Sequence, residues 1–306
     1  MLDFQPIKLE DQERVDRYLI EAKSQNYDEC FATLYTWKDT FHTEIVEAEG
    51  CLLVRMQEGE SPVYLFPIGG DLKAGMQLLM DEHRENGLPL WLGSITRKNM
   101  ENLEEAFPGE FEFERRRDMD DYIHLTESLA QFKGKSFHGK RGHVKKFKTL
   151  YNHEYRRMMP ELVPEVLKMN KIWCRGHSYD DDDAALHEKL AAELLLNNLE
   201  ELRGEGGVLL VDGVVVAASA GTPIYPGSDT IVVQFEKGLT EYEGVYSAIC
   251  NFFMEDCSSR YRYANREEDL GIPGLRKSKL SYNPEILLEK YVAKWEPPLK
   301  DDLLSL

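Results

Sequence analysis

Residues 265–284 read NREEDLGIPGLRKSKLSYNP and place an acidic turn, two glycines and a cationic helical turn in direct succession. The preceding residues, 260–264, alternate in the manner of a strand, and residues 286–292, which are mostly apolar, predict another strand. Pro273 suits the first position of a helix, because the N–H that proline lacks has no partner there. The stretch therefore predicts a strand, an acidic loop, a short helix and a second strand.

The charged side chains of this stretch allow two interpretations. Arg276 and Lys279 share one helical face, so they suit either a solvated surface helix or a pair of cations that holds a phosphate or carboxylate. In the second interpretation the candidate catalytic carboxylates are Asp269 and Glu268, with Glu236 as a third choice. The candidate substrate-binding residues of the stretch are Asn265, Arg266, Arg276, Lys279 and Tyr282.

Composition narrows the class of protein. The 306 residues carry a formal net charge of −18, which argues against a protein that coats DNA. The five cysteines are scattered and form no Cys-x-x-Cys pair, so the sequence suggests neither a zinc site nor a disulfide framework. There is no signal-peptide pattern at the start, and no apolar run is long enough to span a bilayer. We therefore expect a cytoplasmic chain without a metal, an integral membrane segment or a DNA partner; its oligomeric state stays open.

The predicted elements of the first half begin with an amphipathic helix. Val15, Tyr18, Leu19 and Ala22 lie on one face of it. Three strands are predicted next, at residues 43–48, 51–56 and 63–68. A helix, a strand, a short helix and a further strand complete the half.

The second half repeats this order. Asp212-Gly213 separates two strand-like runs and supplies the positive φ that a type I′ turn requires. A strand at residues 230–236 and a helix at residues 245–257 follow. We interpret the acid run at residues 180–183 as favourable charge at a helix N-terminus rather than a metal site. The repeated order predicts mixed sheets with helices on their faces.

Several short motifs are shared with a known family. They are FATLYTW at residues 31–37, Asp121-Tyr122-Ile123, Gly134-Lys135, Lys140-Arg141, Phe235-Glu236-Lys237 and the stretch at 265–284. On these motifs, and over nearly its whole length, the chain resembles the family named for the C-terminal domain of bacterial phosphatidylglycerol lysyltransferase. Its element order resembles the GNAT acyltransferase fold present twice. The resemblance implies an α/β class with two tandem GNAT-like domains, at residues 1–118 and 119–306, of which the second carries the site.

A basic segment lies near the middle of the chain. Residues 133–148 contain no acid, which is unusual in so acidic a chain. Its cations suit a phosphate-bearing ligand or an RNA end, or they form a solvated basic helix that balances neighbouring acids. In the first interpretation the substrate-binding residues are Lys135, Lys140, Arg141, His143 and Lys145. We expect this segment and the stretch at 265–284 to face one cleft and to bind one ligand.

The turn that would bind acyl-CoA in a GNAT domain departs from the family pattern. That pattern is Arg/Gln-x-x-Gly-x-Gly/Ala before the main helix, whereas this chain has Glu241-Tyr242-Glu243-Gly244-Val245-Tyr246. Only Gly244 agrees, and the two glutamates would repel a diphosphate from the helix N-terminus. We therefore predict that acetyl-CoA binds weakly or not at all.

The resemblance implies a transferase, since related tandem-GNAT families use aminoacyl-tRNA as donor. The expected reaction moves an aminoacyl group from aminoacyl-tRNA to an amine or hydroxyl acceptor, with no cofactor besides the co-substrate. Because the aminoacyl ester is already activated, such a reaction needs positioning and oxyanion donors more than strong acid–base help. The alternatives are an acyl-CoA-dependent N-acyltransferase and a non-catalytic protein that binds a ligand or RNA on a transferase scaffold.

Overall fold

The chain folds as two compact units. The computed structural model describes residues 2–59, 61–176 and 183–298. The first unit contains the residues up to Asp121 together with those from Leu288 onward, and the second unit is Tyr122–Leu287. The expected first boundary at residue 118 lies close to this division. The expected second domain ran on to residue 306, whereas the residues after Leu287 join the first unit because they supply a strand to its sheet.

The described residues form strands and helices in the following order. The strands are β1 (Gln5–Pro6), β2 (Glu44–Ala48), β3 (Cys51–Glu58), β4 (Ser61–Tyr64), β5 (Leu90–Thr96), β6 (Phe111–Arg115), β7 (Asp121–Leu125), β8 (His153–Arg157), β9 (Glu205–Val211), β10 (Val214–Pro223), β11 (Thr230–Gly238), β12 (Tyr263–Asn265), β13 (Ile286–Leu288) and β14 (Lys290–Trp295). The helices are α1 (Gln12–Ala22), α2 (Phe31–Thr36), α3 (Lys38–Phe41), α4 (Leu72–Asn86), α5 (Arg97–Ala106), α6 (Thr126–Gln131), α7 (His138–Leu150), α8 (Val163–Gly176), α9 (Asp183–Asn197), α10 (Val245–Cys257) and α11 (Pro273–Leu280). Short 3-10 turns lie at Leu9–Asp11, Tyr27–Glu29, Arg117–Met119 and Pro160–Leu162.

The two sheets agree in the order and direction of five strands. Each sheet has seven strands, ordered β1-β2-β3-β4-β5-β14-β6 in the first unit and β8-β9-β10-β11-β12-β7-β13 in the second. The parallel pair is β4–β5 in one sheet and β11–β12 in the other. The other pairs from β1 to β5 and from β8 to β12, the pairs of β14 with β5 and β6, and the pair β12–β7 are antiparallel. The predicted class, α/β with mixed sheets in a repeated order, is therefore confirmed.

The last predicted strand is two strands. Residues 286–292 were expected to be continuous, but β13 ends at Leu288 in the second sheet and β14 begins at Lys290 in the first. Tyr291, Ala293 and Trp295 alternate along β14 and pack into the apolar core of the first unit. Both strands are apolar enough to be strands, so local pattern alone could not show that the chain changes sheets between them.

A buried lysine fixes the start of β14. The Lys290 side chain is completely buried, and its ammonium pairs with the carboxylates of Asp28 and Asp121. The same ammonium lies 4.3 Å from the centroid of the Tyr27 ring, and the Lys290 N–H donates to Asp120 Oδ1 at 3.1 Å. Because a buried charge is tolerated only when it is paired, these contacts hold the start of β14 in one position.

Most local predictions of turns and helices are confirmed. Asp212 and Gly213 have φ values of 49° and 82°, as a type I′ turn requires, and the helix predicted at residues 245–257 has those bounds. The strand predicted at residues 63–68 is wrong in extent, since β4 ends at Tyr64 and Ile68 makes only a single bridge to Leu52. Pro67 explains this, because it cannot donate to a ladder. The acid run at 180–183 falls largely outside the described residues, which resume at the first residue of α9.

Two features are absent from the described residues. Within residues 2–59, 61–176 and 183–298, we find no helix that combines the length and the apolar character needed to cross a membrane. Over the same ranges, no group of three or more histidine, cysteine, aspartate or glutamate side chains is arranged to hold a metal ion.

Candidate functional site

The parallel strands of the second unit separate after three residues. Residues 263–265 of β12 pair with residues 230–232 of β11. β12 ends at Asn265, whereas β11 continues to Gly238. The last part of β11 therefore borders an opening where its parallel neighbour has ended. Ligands of open mixed and parallel sheets often bind at the carboxyl ends of such strands.

Two side chains of opposite charge lie at this opening. Glu236 belongs to the part of β11 beyond the pairing, and Arg266 directly follows β12. Arg266 Nη2 donates to Glu236 Oε1 at 2.5 Å, and the side chains of Arg266 and Glu236 are only 12% and 11% exposed. Burial alone would lower the pKa of the Arg266 guanidinium. Attraction to the adjacent Glu236 carboxylate has the opposite effect, and the pKa is raised overall. The two groups therefore form a buried charged pair.

Three polar atoms around this pair are buried without a hydrogen-bond partner among the described residues. They are Glu236 Oε2, Arg266 Nη1 and Ser219 Oγ. Ser219 lies directly opposite Glu236 in the β10–β11 ladder, so both side chains project from the same face. Each unsatisfied buried polar atom costs about 1–3 kcal/mol, and such atoms are rare in folded proteins. Their concentration here indicates a polar site suited to a ligand's donors and acceptors.

Tyr282 brings the basic segment to this pair. Lys140 Nζ, from α7, lies 3.5 Å from the centroid of the Tyr282 ring, and Arg266 Cζ lies 4.5 Å from it. Tyr282 is buried, and burial is the main cause that raises the pKa of its hydroxyl. Four predicted residues therefore lie together: Glu236, Arg266, Tyr282 and Lys140.

Asp269 is buried beside the loop that follows β12. It accepts hydrogen bonds from the Tyr122 hydroxyl at 2.6 Å and from the Gly271 N–H at 2.9 Å. Arg276 donates to both carboxylate oxygens, through Nε and Nη2, each at 2.8 Å. Burial alone would raise the pKa of Asp269, but these hydrogen bonds lower it to about 2. This geometry favours a positioning role for Asp269 over the catalytic role expected from the sequence.

The backbone of the same loop is also held by side chains. Lys279 Nζ donates to the carbonyl oxygens of Arg266 and Glu268. Tyr122 connects to the loop twice: its carbonyl accepts from the Arg266 N–H at 2.9 Å, and its N–H donates to Glu267 O at 3.1 Å. Glu267 has a φ of 57°, a left-handed value that persists in a non-glycine residue only where the surroundings determine it. These contacts fix the position from which Arg266 reaches Glu236.

The other predicted residues have different environments. Asn265 Oδ1 accepts from the Glu267 N–H at 2.9 Å and so shapes the loop. Glu268 Oε2 is a further buried atom without a partner among the described residues. Lys135 is exposed in the turn before α7.

The basic segment has two faces. Lys140 reaches Tyr282, whereas a groove of about 560 Å³ beside α6, α7 and α10 is lined by four other cationic or titratable residues of α7: His138, Arg141, Lys145 and Lys148. Arg141 Nη1 also donates to the carbonyl oxygens of Phe132 and Gly134. Lys140 contacts Tyr282 of the stretch at 265–284, as the expected single cleft requires. Arg141 and Lys145 instead line the groove.

Two buried titratable residues near the pair were missed from the sequence. His124 on β7 has its ring centroid 6.5 Å from that of Tyr282; burial, followed by the charge of Arg266, lowers its pKa to about 3. Burial raises the pKa of the Cys250 thiol on α10 to about 12. Both are therefore uncharged at neutral pH. No spacing or motif marks either residue. Ser219 could be found only by extending the register from the Asp212-Gly213 hairpin to the pairing of β10 with β11, where Ser219 lies opposite Glu236.

The turn before α10 is occupied by groups of this chain. A Cβ atom at Gly244 would lie 2.3 Å from the carbonyl oxygen of His143 on α7. The Glu243 N–H donates to the Tyr151 hydroxyl at 2.9 Å, and the Glu243 carboxylate pairs with Lys146. His143 therefore contributes a carbonyl oxygen to the turn that would bind a diphosphate in an acyl-CoA enzyme. A carbonyl oxygen there opposes anion binding at the helix N-terminus.

The corresponding turn of the first unit is also capped by acids. Gly69-Gly70-Asp71 precedes α4, and the Asp71 side chain accepts from the Ala74 N–H at 3.0 Å. The Gly70 N–H donates to Glu21 Oε1 at 3.4 Å. Carboxylates thus take the N–H groups that would otherwise face an anion, so the first unit offers no phosphate turn of this kind.

Comparison with solved structures shows the fold. A conserved protein of unknown function from Bacteroides thetaiotaomicron is 34% identical, with a TM-score of 0.92 over 97% of this chain and 100% of that one. L-PGS from Bacillus licheniformis is 16% identical, with a TM-score of 0.65 over 96% of this chain and 95% of that one. A tandem GNAT protein from the clavulanic acid biosynthesis pathway is 11% identical, with a TM-score of 0.51 over 97% and 98% of the two chains. The two units therefore form a tandem GNAT-like fold.

Sequence comparison identifies the family. An uncharacterized protein of Mycoplasmoides gallisepticum is 22% identical over 174 residues, which are 56% of this chain; the match spans only 55% of that curated relative. The profile described as "Phosphatidylglycerol lysyltransferase, C-terminal" matches residues 21–294. That match includes the whole second unit, and with it the opening between β11 and β12. The chain therefore belongs to the family of phosphatidylglycerol lysyltransferase C-terminal domains.

Proposed function

We propose that the second unit transfers an aminoacyl group from aminoacyl-tRNA to an amine or hydroxyl acceptor. Membership of a lysyltransferase family supports aminoacyl transfer as the type of reaction. The observation that carries the proposal is the buried Glu236–Arg266 pair at the end of β12, in which each partner keeps one buried atom without a hydrogen bond. Such a pair offers one acceptor and one donor to a reacting centre.

The proposed reaction is a simple acyl transfer. The acceptor nitrogen or oxygen forms a bond to the ester carbon of the aminoacyl group, and negative charge develops on the carbonyl oxygen. The bond between that carbon and the ribose oxygen then breaks, and the proton lost by the acceptor ends on the released ribose hydroxyl. The donor ester stores the free energy for the step, so the protein has to position the reactants and stabilise the oxyanion.

The two charged residues take complementary roles. Glu236 Oε2 accepts the hydrogen of the attacking amine or hydroxyl, and Arg266 Nη1 donates to the developing oxyanion. In a buried site such charge-assisted hydrogen bonds are stronger than in water. Asp269 and Arg276 act indirectly, because they hold the loop that carries Arg266.

Acyl-CoA transfer is the second candidate, and the turn before α10 disfavours it. Gly244 agrees with the acyl-CoA pattern, but the His143 carbonyl oxygen and the Glu243 carboxylate lie where a diphosphate would bind. The third candidate, a non-catalytic protein that binds RNA or another ligand, would use the groove lined by α7 and leave the charged pair without a reaction to support.

A donor screen tests these candidates. Purified protein is incubated with charged tRNAs or with acyl-CoAs and a panel of amine and hydroxyl acceptors, and products are detected by mass spectrometry. We expect product from a charged tRNA and none from acetyl-CoA. Glu236→Gln should reduce the rate by about 10²-fold or more, while the exposed control Glu241→Gln keeps the rate of the wild type. Product from acetyl-CoA alone, or unchanged turnover in Glu236→Gln, would contradict the proposal.

A further inference from the structure

Two cations share one buried aromatic ring. Lys140 Nζ lies 3.5 Å from the Tyr282 ring centroid, and Arg266 Cζ lies 4.5 Å from it. The ring is only 3% exposed, so it is a wall of the site rather than a surface on which a ligand could stack. A tyrosine ring attracts a cation through its quadrupole but carries no net charge. It therefore orients the two cations without neutralising them.

The charges around this ring do not balance. Glu236 pairs with Arg266, and in the described part of the chain no aspartate or glutamate oxygen lies within 4.0 Å of the Lys140 ammonium. Because His124 and Cys250 have pKa values of about 3 and about 12, they are neutral at pH 7. Two positive charges and one negative charge leave a net charge of +1. Lys140 is half-buried, and a charge that is partly withdrawn from water without a counter-ion is costly. Such a charge is unexpected in a chain whose net charge is −18.

We propose that Lys140 and Arg266 form an anion subsite that binds a phosphodiester of the substrate, beside the Glu236 carboxylate. Arg266 contributes one of the two N–H groups of its buried Nη1 atom, which has no partner among the described residues, and the second N–H group is left for the oxyanion. Lys140 contributes an ammonium whose hydrogens are not committed to a carboxylate. A phosphodiester carries one negative charge, which matches the net charge of the cluster. Both an RNA end and a lipid headgroup contain a phosphodiester. The assignment of this phosphodiester to a substrate rests on the proposed function.

The protonation of Lys140 supports the subsite and makes it measurable. Burial, followed by repulsion from Arg266, lowers the pKa of Lys140 to about 8, although Cys250 and Glu236 act in the opposite direction. A bound phosphate would favour the charged ammonium and raise that pKa. A rise from about 8 to about 9 reduces the unprotonated fraction at pH 8 about fivefold.

Competitive labelling with acetic anhydride measures this change on the intact protein. The acetylation of individual lysines is followed by peptide mass spectrometry between pH 6 and pH 11, with and without 10 mM inorganic phosphate. Sodium chloride at equal ionic strength is the reference. We expect phosphate to reduce acetylation of Lys140 at pH 8 about fivefold and to leave the exposed Lys168 and Lys171 of α8 unchanged. Equal protection of all three lysines would show ionic screening only and would overturn the subsite.

Two variants and two small phosphate compounds complete the test. Lys140→Met should weaken phosphate binding, measured by calorimetry, at least tenfold, whereas the exposed control Lys168→Met on α8 should bind as the wild type does. The melting temperature of each variant shows whether it is folded. If Lys140→Met does not fold, the labelling of the wild-type protein alone tests the subsite. The dinucleotide CpA and glycerophosphoglycerol, both phosphodiesters and used at equal concentrations, distinguish an RNA source from a lipid source by which one protects Lys140 more strongly. None of these readouts depends on turnover, so their failure would leave the transfer proposal standing.

Discussion

At the scale of single residues, two buried carboxylates show how different surroundings give different roles. Asp269 receives hydrogen bonds from Tyr122, Gly271 and Arg276. Glu236 receives one from Arg266 and keeps a second oxygen without a partner in the described chain. A carboxylate whose hydrogen-bonding capacity is already used stabilises a structure, whereas one with capacity left can meet a substrate.

Replacement of Asp269 by asparagine should loosen the loop that carries Arg266. We expect Asp269→Asn to lower the free energy of unfolding at pH 7 by about 1–3 kcal/mol, because a buried, charge-assisted interaction with Arg276 is lost. It should also reduce turnover while substrate binding is largely retained. Urea denaturation and steady-state kinetics measure both effects, with the exposed Glu255→Gln as control.

The same variant has an expected pH dependence. The pKa of Asp269 falls from 3.8 to about 2 on folding, so its stabilising contribution is present above pH 3.8 and is lost as the pH falls through 2. The difference in stability between wild type and Asp269→Asn should therefore shrink between pH 4 and pH 2. A difference that stays constant over this range would show that Asp269 does not owe its role to its charge.

Glu29 in the first unit should destabilise the protein at neutral and alkaline pH. It is buried, and burial raises its pKa from 4.5 to about 7, although Ser24 and Asn26 donate to it. The protonated Glu29 side chain contributes to the free energy of unfolding. This contribution is fully present below pH 4.5 and is lost as the pH rises to about 7, since the folded protein resists ionisation of this group. Glu29→Gln should match the wild type at pH 4.5 and be more stable at pH 8 by about 1–3 kcal/mol. Thermal denaturation across this range is the measurement, and Glu85→Gln is the exposed control.

At the scale of elements, α7 separates two kinds of cation. Lys140 is half-buried against Tyr282, whereas His138, Arg141, Lys145 and Lys148 line the groove. The helix can do both because residues three and four apart share a face, while residues 140 and 141 point in different directions. The acid-free composition of residues 133–148 therefore covers both the contact with Tyr282 and a separate basic groove.

The groove should contribute to RNA affinity through charge alone. We expect the double variant Lys145→Ala with Lys148→Ala to weaken binding of an RNA end and to reduce the slope of log Kobs against log salt concentration by about 1–2, as expected for two lost phosphate contacts. Filter binding or fluorescence anisotropy between 50 and 300 mM salt measures this. The control is the pair Lys168→Ala with Lys171→Ala on α8. An unchanged slope in the α7 variant would place the RNA elsewhere.

At the scale of the whole molecule, the first sheet depends on a strand from the far end of the chain. β14 pairs with β5 on one side and with β6 on the other, so it lies inside the sheet. Tyr291, Ala293 and Trp295 supply part of the core of the first unit. The second sheet likewise holds β7, which precedes the rest of its strands, between β12 and β13. The first sheet is therefore built from two separate segments of sequence, whereas the strands of the second sheet, β7 to β13, are consecutive in the chain.

Removal of β14 should disrupt the first unit. We expect a chain ending at Leu287 to lose cooperative unfolding of that unit, because β5 and β6 lose their common partner and the core loses three buried side chains. A synthetic peptide of residues 288–298 should restore the transition when it is added during refolding, as followed by circular dichroism. A peptide with serine at positions 291, 293 and 295 is the control. If the truncated chain unfolds as the wild type does, β14 is dispensable for this unit.

The sequence by itself determined most local structure. Asp212-Gly213 specified a turn because few residues adopt positive φ without strain. Pro273 specified the start of α11, because proline has a fixed φ and no N–H. The order of the elements in both halves, together with the family motifs, was enough for the tandem GNAT-like fold. It was also enough to identify Glu236, Arg266, Tyr282 and Lys140 as candidate site residues, although Glu236 was ranked below Asp269.

The tertiary structure decided the features that depend on residues far apart in sequence. It assigned β13 and β14 to different sheets, which two apolar runs of similar composition cannot show. It also separated the surroundings of Asp269 and Glu236, because Tyr122, which donates to Asp269, and Arg266, which donates to Glu236, are 147 and 30 residues away in sequence. Hydrophobic periodicity records which face of an element is buried. It does not record which partner covers that face, and the hydrogen bonds, pKa values and charge balance of a site depend on that partner.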